Sequence, residues 1–120
     1  MADYLPKFKP GEAITLIAAG TITGGLMVTA GAVTAGANAT DWLGVASHDA
    51  VSGAKFGVYA DGVQYVIANG AVAVGGPVKC AASGKVAPHV IGTDAAERLV
   101  GIALTAAAAD ADVIAVKFVR

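Results

Sequence analysis

The stretch GGLMVTAGAVTA (residues 24–35) recurs in altered form as GGPVKCAASGKVAP (residues 75–88). Each copy begins with paired glycines and continues with short runs of Val and Ala, and neither contains an acid or a histidine. The echo extends downstream, because LGVA (residues 43–46) follows the first copy and VGIA (residues 100–103) follows the second. Each copy therefore predicts a strand, a hairpin and a return strand whose own glycine lets a neighbouring strand approach closely.

The repeat decides the predicted fold. One copy alone could not bury its apolar face, whereas two copies packed against each other could. The sequence therefore predicts a mainly β protein, a small β-barrel or β-sandwich built from two similar halves, about residues 13–68 and 69–120. Together the halves make one β domain, residues 13–120, as expected of a short chain that can fill one core with small side chains.

The N-terminal segment differs from the rest of the chain. Residues 1–12 place Tyr4, Leu5, Pro6 and Phe8 among lysines. Two prolines four positions apart exclude a helix and poorly suit a central strand, so the segment is predicted to be an extended arm. Its apolar side chains either fold back on their own domain or lie on a neighbouring protein, and we favour the neighbouring protein.

Two stretches predict particular strands. KFGVYADGVQYVIA (residues 55–68) predicts a hairpin around Asp61-Gly62, a pair typical of a type I′ turn. The hairpin register puts six side chains on one shared face, namely Phe56, Val58, Ala60, Val63, Tyr65 and Ile67. It leaves Val66 and Ala68 on the opposite face, which is expected to be partly wet. In DVIAVKFVR (residues 112–120), alternation predicts one common side for a second set, namely Ile114, Val116 and Phe118.

Charge and hydropathy exclude several partners. Eight basic and nine acidic residues give a net charge of −1 without a basic patch, so direct nucleic-acid binding is not expected. Residues 13–40 are uncharged, but glycine and threonine interrupt them too often for a membrane span of about 20 apolar residues. Asp3 stands where a signal peptide would carry positive charge, which predicts synthesis in the cytoplasm.

Few residues offer chemistry. Ser47-His48-Asp49 is a poor catalytic triad because consecutive residues at a strand end point in alternating directions, and a turn with Ser47 and Asp49 on backbone groups is predicted instead. His89 and the single cysteine, Cys80, lie at no metal-ligand spacing, and Cys80 is predicted to be a buried hydrophobic residue. No catalytic residue, cofactor site or metal site is predicted, and the chain is not expected to be an enzyme.

The only tryptophan, Trp42, comes directly before LGVA. A tryptophan at such a position either caps the end of a barrel or anchors an interface, because its large ring suits both places. Together with the arm residues it is a candidate for partner contact.

Four stretches carry a resemblance through their order and spacing: FKPGEAITLIAAGTITGG (residues 8–25), WLGVASHDAVSGAKFGVY (42–59), GVQYVIANGAVAVGGPV (62–78) and LVGIALTAAAADADVIAVKF (99–118). With them the chain resembles, over nearly its whole length, the small head decoration or capsid cement proteins of tailed bacteriophages and prophages. The resemblance implies a structural virion protein, a homotrimer on the outer surface of the expanded head. It also implies that the protein bridges neighbouring major capsid protein subunits and uses no cofactor.

Two alternatives stay open. One is another phage structural module, such as a tail or fibre part, which similar glycine-rich strands could build. The other is a small carrier or ligand-binding domain. A carrier needs a lysine at a tight turn, and Lys79 and Lys85 flank CAASG (residues 80–84) without sitting at its tip.

Overall fold

The computed structural model describes residues 13–119, so the arm predicted for residues 1–12 lies outside the described part. The described residues form nine β-strands and two short 3₁₀ turns, which confirms the mainly β fold. The strands are β1 (Ile14–Ile17), β2 (Met27–Thr29), β3 (Trp42–Ala46), β4 (Lys55–Tyr59), β5 (Val63–Ile67), β6 (Pro77–Cys80), β7 (Val86–Pro88), β8 (Leu99–Ala103) and β9 (Val113–Phe118). The 3₁₀ turns are Ala82–Gly84 and Ala96–Arg98.

The strands form two antiparallel sheets. The first has the order β1-β4-β3-β2 and the second the order β5-β9-β8-β6-β7. Each sheet is made from one continuous segment, which we call unit 1 (β1 to β4) and unit 2 (β5 to β9). The chain changes sheet between Tyr59 and Val63, so β5 belongs to unit 2, whereas the division of the sequence at residue 68 put it in the first half.

The two units share their strand order and their register. Ile14 pairs with Val58 in unit 1, as Gln64 pairs with Val116 in unit 2. The other corresponding features are the pairs Met27–Val45 and Pro77–Ile102, the pairs Val45–Tyr59 and Ile102–Lys117, and the bulges at Val28/Thr29 and Val78/Lys79. The repeat read from the sequence is therefore present in the backbone.

In the structure Gly25 is equivalent to Gly75, whereas alignment of the two glycine pairs would match Gly25 with Gly76. Gly25 and Gly75 both adopt positive φ angles, +85° and +78°. The Gly25 N–H donates to the Ala46 carbonyl at 2.9 Å, and the Gly75 N–H donates to the Ala103 carbonyl at 2.7 Å. The repeat distance at this turn is thus 50 residues.

The second unit is longer between its β6 and β8 strands. Gly44 follows Gly25 by 19 residues, whereas Gly101 follows Gly75 by 26. Residues 32–34 correspond to β7, because Val28 bridges Thr34 as Val78 pairs with Pro88. The additional residues therefore lie in the turn between β6 and β7 and in the loop before β8, which covers residues 89–98 and includes the Ala96–Arg98 turn. The Ala96–Arg98 turn has no side-chain hydrogen bond at its N-terminus.

The predicted hairpin over residues 55–68 is wrong. β4 pairs with β1 and β3, β5 pairs with β9, and Asp61-Gly62 connects the two sheets. Gly62 does have the positive φ that the turn signal predicted, +75°, but its carbonyl accepts the N–H of Phe118 at 2.9 Å. β5 is the counterpart of β1, and β9 is the counterpart of β4. Because β1 pairs with β4, β5 pairs with β9, and this pairing outweighs the local turn signal.

The error also reversed the faces of β5. Val66 and Ala68 are buried, whereas Val63 and Tyr65 are exposed. A shift of one residue moves every side chain of a strand to the other face, so the choice of partner decides burial. The prediction for the last strand is confirmed, because the three residues expected on one common side are all buried: Ile114, Val116 and Phe118.

Seven equivalent positions are buried in both units. In pairs from unit 1 and unit 2 these are Ala18 and Ala68, Ile22 and Val72, Val28 and Val78, Ala46 and Ala103, Ala50 and Ala107, Phe56 and Ile114, and Val58 and Val116. Small side chains at most of these positions let the sheet and the loops approach closely, which fits the excess of Ala and Val in the sequence.

The cores of the units are joined through one shared cluster, as predicted for two halves that pack together. Met27, Trp42 and Val45 of unit 1 belong to the same hydrophobic cluster as the interior of unit 2. The Trp42 ring meets the Phe118 ring edge-to-face, with centroids 5.6 Å apart and an interplanar angle of 67°. The Asn38 N–H also donates across the junction to the Cys80 carbonyl, at 2.9 Å.

Candidate interaction surface

Four of the five predicted contact residues lie outside the described residues: Tyr4, Leu5, Pro6 and Phe8. The fifth, Trp42, begins β3 and is only 4% exposed because its ring packs on Phe118. Its burial agrees with the interior role that the sequence left open. Contact between Trp42 and a partner stays a prediction, and it would require the junction of the units to open.

Ser47, His48 and Asp49 are exposed directly after β3. Ser47 Oγ lies 2.8 Å from His48 Nδ1, but Asp49 Oδ1 accepts the N–H of Gly24 at 2.8 Å. The carboxylate therefore binds a backbone N–H, but one that lies 25 residues away rather than in the local turn that was predicted, and it does not orient the imidazole. The Ser47 hydroxyl contacts the histidine ring, and the predicted Ser47 contact to the backbone is not among the hydrogen bonds of the described residues.

The loop over residues 89–98 is held to the sheet by one carboxylate. The side chain of Asp94 is 9% exposed; its Oδ1 accepts hydrogen bonds from Lys79 Nζ at 2.8 Å and Arg98 Nη1 at 3.4 Å. Its Oδ2 accepts the N–H of Val90 at 2.8 Å. The hydrogen bond from Lys79, together with that from Val90, lowers the pKa of Asp94 from 3.8 to about 2.

His89 anchors the beginning of the same loop and is 7% exposed. Its backbone N–H donates to the Pro77 carbonyl at 2.8 Å, and its Nε2 lies 3.0 Å from the Ala95 carbonyl, which requires a proton on Nε2. Within residues 13–119, Nδ1 has no hydrogen-bond partner. Folding of the loop brings the Asp94 carboxylate beside His89.

Under this loop lies an apolar pocket of about 390 Å³. Pro77 of β6 together with Leu99 and Ile102 of β8 lines it from the sheet, and His89 and Ile91 line it from the loop. The three sheet residues are partly exposed. The sequence analysis missed this pocket, although an insertion between two otherwise matching strands is a signal for it.

The face of the second sheet that carries Ile102 continues as an exposed apolar surface. Cross-strand partners share a face, so Ile102 lies beside Lys117 and Val63, and the adjacent rows add Tyr65 and Val113. Tyr65 is 73% exposed and Val113 is 62% exposed. Exposed apolar patches of this kind mark interaction sites in soluble domains.

The remaining candidates from the sequence are structural. Cys80 is fully buried, as predicted for a hydrophobic residue. Lys79 Nζ pairs with Asp94, and Lys85 Nζ lies 3.1 Å from Asp110 Oδ1. Among residues 13–119, no three His, Cys, Asp or Glu side chains come together as a metal site. No helix of that part of the chain is long and apolar enough to cross a membrane.

Comparison with known proteins identifies the family. The sequence model of the phage cement protein family matches residues 8–118. A search of curated proteins finds no match. Among solved structures, the head fiber gp8.5 N base in bacteriophage phi29 has a TM-score of 0.68 and 20% identity, over 89% of this chain and 92% of that chain, and thus shares its fold. Because the family match spans both units and all of their strands, the chain belongs to the phage cement protein family.

Proposed function

We propose that the protein binds the major capsid protein on the outer surface of the expanded phage head and stabilises the contacts between neighbouring subunits. The family match over residues 8–118 carries this proposal, because membership of the cement family makes the chain a structural protein associated with the phage capsid. The exposed apolar surface of unit 2, with Tyr65 and Val113, supports a role in binding other proteins.

The proposed mechanism is thermodynamic. A protein that binds the expanded shell more tightly than loose or unexpanded subunits shifts the equilibrium toward that shell, by an amount set by the difference in affinity. We call residues 13–119 the body of the protein. The body suits this task because its two units share one hydrophobic cluster across the Trp42–Phe118 contact. Such a body can bridge subunits with little deformation, since close-packed interiors have low compressibility.

We assign the capsid contacts first to the arm, through Tyr4, Leu5, Pro6 and Phe8. The protein is proposed to act as a homotrimer, made in the host cytoplasm and then bound to the head. Three arms on one body act at a high effective concentration, which can slow release roughly 100-fold or more relative to one arm. Modest contacts in each arm would then suffice for stable attachment.

Sedimentation with purified empty heads tests the function. We expect the protein to co-sediment with expanded heads, to saturate at a fixed ratio to the major capsid protein, and to bind unexpanded heads much more weakly. The decorated heads should also resist heating better than bare heads. Equal binding to both head forms would contradict the proposed stabilisation of the expanded shell, and absence of binding would contradict the cement function.

Deletion of residues 1–11 tests the role of the arm. We expect a folded body that no longer co-sediments with heads. Replacement of Tyr4, Leu5 and Phe8 by Ser should have the same effect, whereas the matched replacement of Lys7 and Lys9 by Gln should bind normally. Normal decoration by the truncated protein would exclude the arm as the attachment element.

The proposed contact of Trp42 with the capsid has its own test. Because the Trp42 residue is 4% exposed in the free protein, its fluorescence should have a short emission wavelength and be protected from quenching by acrylamide. The test uses heads whose own proteins have every tryptophan replaced, so that they do not fluoresce. If Trp42 contacts the capsid, the emission of Trp42 should change when the protein binds these heads. Unchanged emission in saturated heads would assign Trp42 to the junction of the units alone.

A head-fibre base is the second candidate, favoured by the fold shared with the head fiber gp8.5 N base in bacteriophage phi29. Electron microscopy of decorated heads separates the two. A cement protein produces compact knobs between capsomers, whereas a fibre base occupies a position from which a fibre projects. A carrier domain, the third class that the sequence left open, would be indicated by a modified lysine in the intact mass.

A further inference from the structure

The second sheet leaves partly exposed a surface whose counterpart in the first sheet is buried. In unit 1 this surface consists of Met27, Trp42 and Val45, with exposures of 0%, 4% and 4%. The matching strand registers make the equivalents in unit 2 Pro77, Leu99 and Ile102, all of which are partly exposed and line the pocket beneath the loop. We call these three residues of unit 2 the acceptor surface.

In unit 1 the equivalent surface is covered by one edge of unit 2. That edge consists of Cys80, Val100 and Phe118, which share a hydrophobic cluster with Met27, Trp42 and Val45 and are themselves buried. The edge is fixed by the contact between the Phe118 and Trp42 rings and by the hydrogen bond from the Asn38 N–H to the Cys80 carbonyl.

The covering edge also has a counterpart elsewhere in the chain. The registers make Ala30, Leu43 and Ala60 of unit 1 the equivalents of Cys80, Val100 and Phe118. Ala30 is exposed, and Leu43 and Ala60 are partly exposed. We call these three residues the donor edge. The chain thus carries equivalents of these six junction residues a second time, and the two sets lie on different units. The hydrogen bond from the Gly84 N–H to the Ala35 carbonyl, 2.9 Å, is an additional contact of the internal junction.

We infer that a second copy of this chain docks its donor edge on the acceptor surface, repeating between molecules the contact that joins the two units within one molecule. The contact is head-to-tail, because it joins two different surfaces, and repetition with a closing rotation generates a ring. Three such contacts would close the homotrimer. The number three comes from the proposed function, whereas the contact itself is inferred from the structure. The loop over residues 89–98 leaves the pocket open to receive the smaller Ala60 side of the junction.

Substitution at the acceptor surface provides the first test. Ile102→Asp places a charge in the middle of the contact, whereas the control Val51→Asp changes a side chain that is 71% exposed and outside both surfaces. The wild type and Val51→Asp are expected to be multimers by light scattering, and Ile102→Asp a monomer with a β-type circular dichroism spectrum. A monomeric wild type, or an unchanged multimer in Ile102→Asp, would overturn the inference.

Cross-linking tests the direction of the contact without relying on a loss of assembly. Ala60 and Leu99 are the equivalents of the contacting Phe118 and Trp42. Ala60→Cys and Leu99→Cys are expected to form disulfide-linked dimers when mixed, and neither should form them alone, since the native Cys80 is fully buried. The double variant should form closed covalent rings. Dimers of Leu99→Cys alone would indicate a face-to-face contact and overturn the inference. Loss of assembly on deletion of residues 1–11, with no cross-link in the mixture, would assign the pocket to the arm and overturn it too.

Head binding separates this inference from the proposed function. A monomeric wild type that still co-sediments with expanded heads would exclude the head-to-tail contact and leave the cement function in place. A cross-linked ring that fails to bind heads would exclude the cement function and leave the contact in place.

Discussion

Single residues fix how closely the strands of this protein approach. A Cβ at Gly44 would overlap the carbonyl oxygen of Tyr59, and a Cβ at Gly101 would overlap the carbonyl oxygen of Lys117. The two glycines occupy equivalent positions on β3 and β8, so the same close approach occurs in each unit. The sequence predicted that both glycines permit close approach of a neighbouring strand, because each is a single glycine inside a predicted strand.

Alanine at either glycine is therefore expected to destabilise the fold. Gly44→Ala and Gly101→Ala should each lower the free energy of unfolding by about 1–3 kcal/mol, since the backbone must shift to relieve the overlap. Gly36→Ala is the matched control, because a Cβ there meets no atom within 4 Å. Urea denaturation measures the difference, and equal stability of the variants would contradict the close approach.

The Asp94 carboxylate predicts how stability depends on pH. Its pKa of about 2 in the folded protein lies below the ordinary value of 3.8, so its contacts stabilise the fold above about pH 4 and are lost as the pH falls toward 2. Between about pH 5 and pH 2, the wild type should lose more stability than Asp94→Asn. Thermal unfolding at several pH values measures this.

Asp110→Asn serves as the control for that experiment. It removes the partner of Lys85, but the Asp110 side chain is 60% exposed, and exposed ion pairs contribute little. This variant should keep the pH dependence of the wild type. Identical curves for Asp94→Asn and the wild type would exclude Asp94 as the group responsible.

At the scale of strands, alternation predicted the faces of β9 but not those of β5. In β9 the three large residues Ile114, Val116 and Phe118 leave one choice of face, whereas β5 has Val, Tyr and Ile on one side and Gln and Val on the other. Such a strand can present either side, and its partner decides. The partner lies about 50 residues away along the chain, beyond the reach of a local turn signal such as Asp61-Gly62.

Two substitutions in β5 distinguish the registers. Val66→Ala removes two buried methyl groups and should lower the free energy of unfolding by about 2 kcal/mol. Tyr65→Ala changes a side chain that is 73% exposed and should cost about 0.5 kcal/mol or less. Chemical denaturation of the two variants gives the comparison, and a larger cost for Tyr65→Ala would favour the hairpin register.

At the scale of the whole molecule, the two units fold around a junction at which Trp42 meets Phe118. The sequence predicted two similar halves because the glycines and the apolar runs repeat. It showed that the loop before β8 is longer than its counterpart in unit 1, but not that the loop forms a pocket, because this depends on the contact of Asp94 with Lys79, 15 residues earlier in the chain. It also left two interpretations of Trp42, because burial depends on what the other half supplies.

Phe118→Ala tests the junction directly. Removal of the ring should lower the free energy of unfolding by about 3–5 kcal/mol and move the Trp42 emission to longer wavelength as water reaches the indole. Phe118→Leu should retain most of the stability and the emission. A Phe118→Ala protein whose Trp42 emission stays unchanged would contradict the edge-to-face contact.

The correspondence between the units makes the molecule its own reference. Five of the seven paired core positions hold the same amino acid, among them Val28 with Val78 and Val58 with Val116. One substitution can thus be made twice in a single polypeptide, at sites that differ only in their wider surroundings. The gap between the two measured costs would isolate how distant neighbours modulate a local fold, free of the usual comparison between homologues.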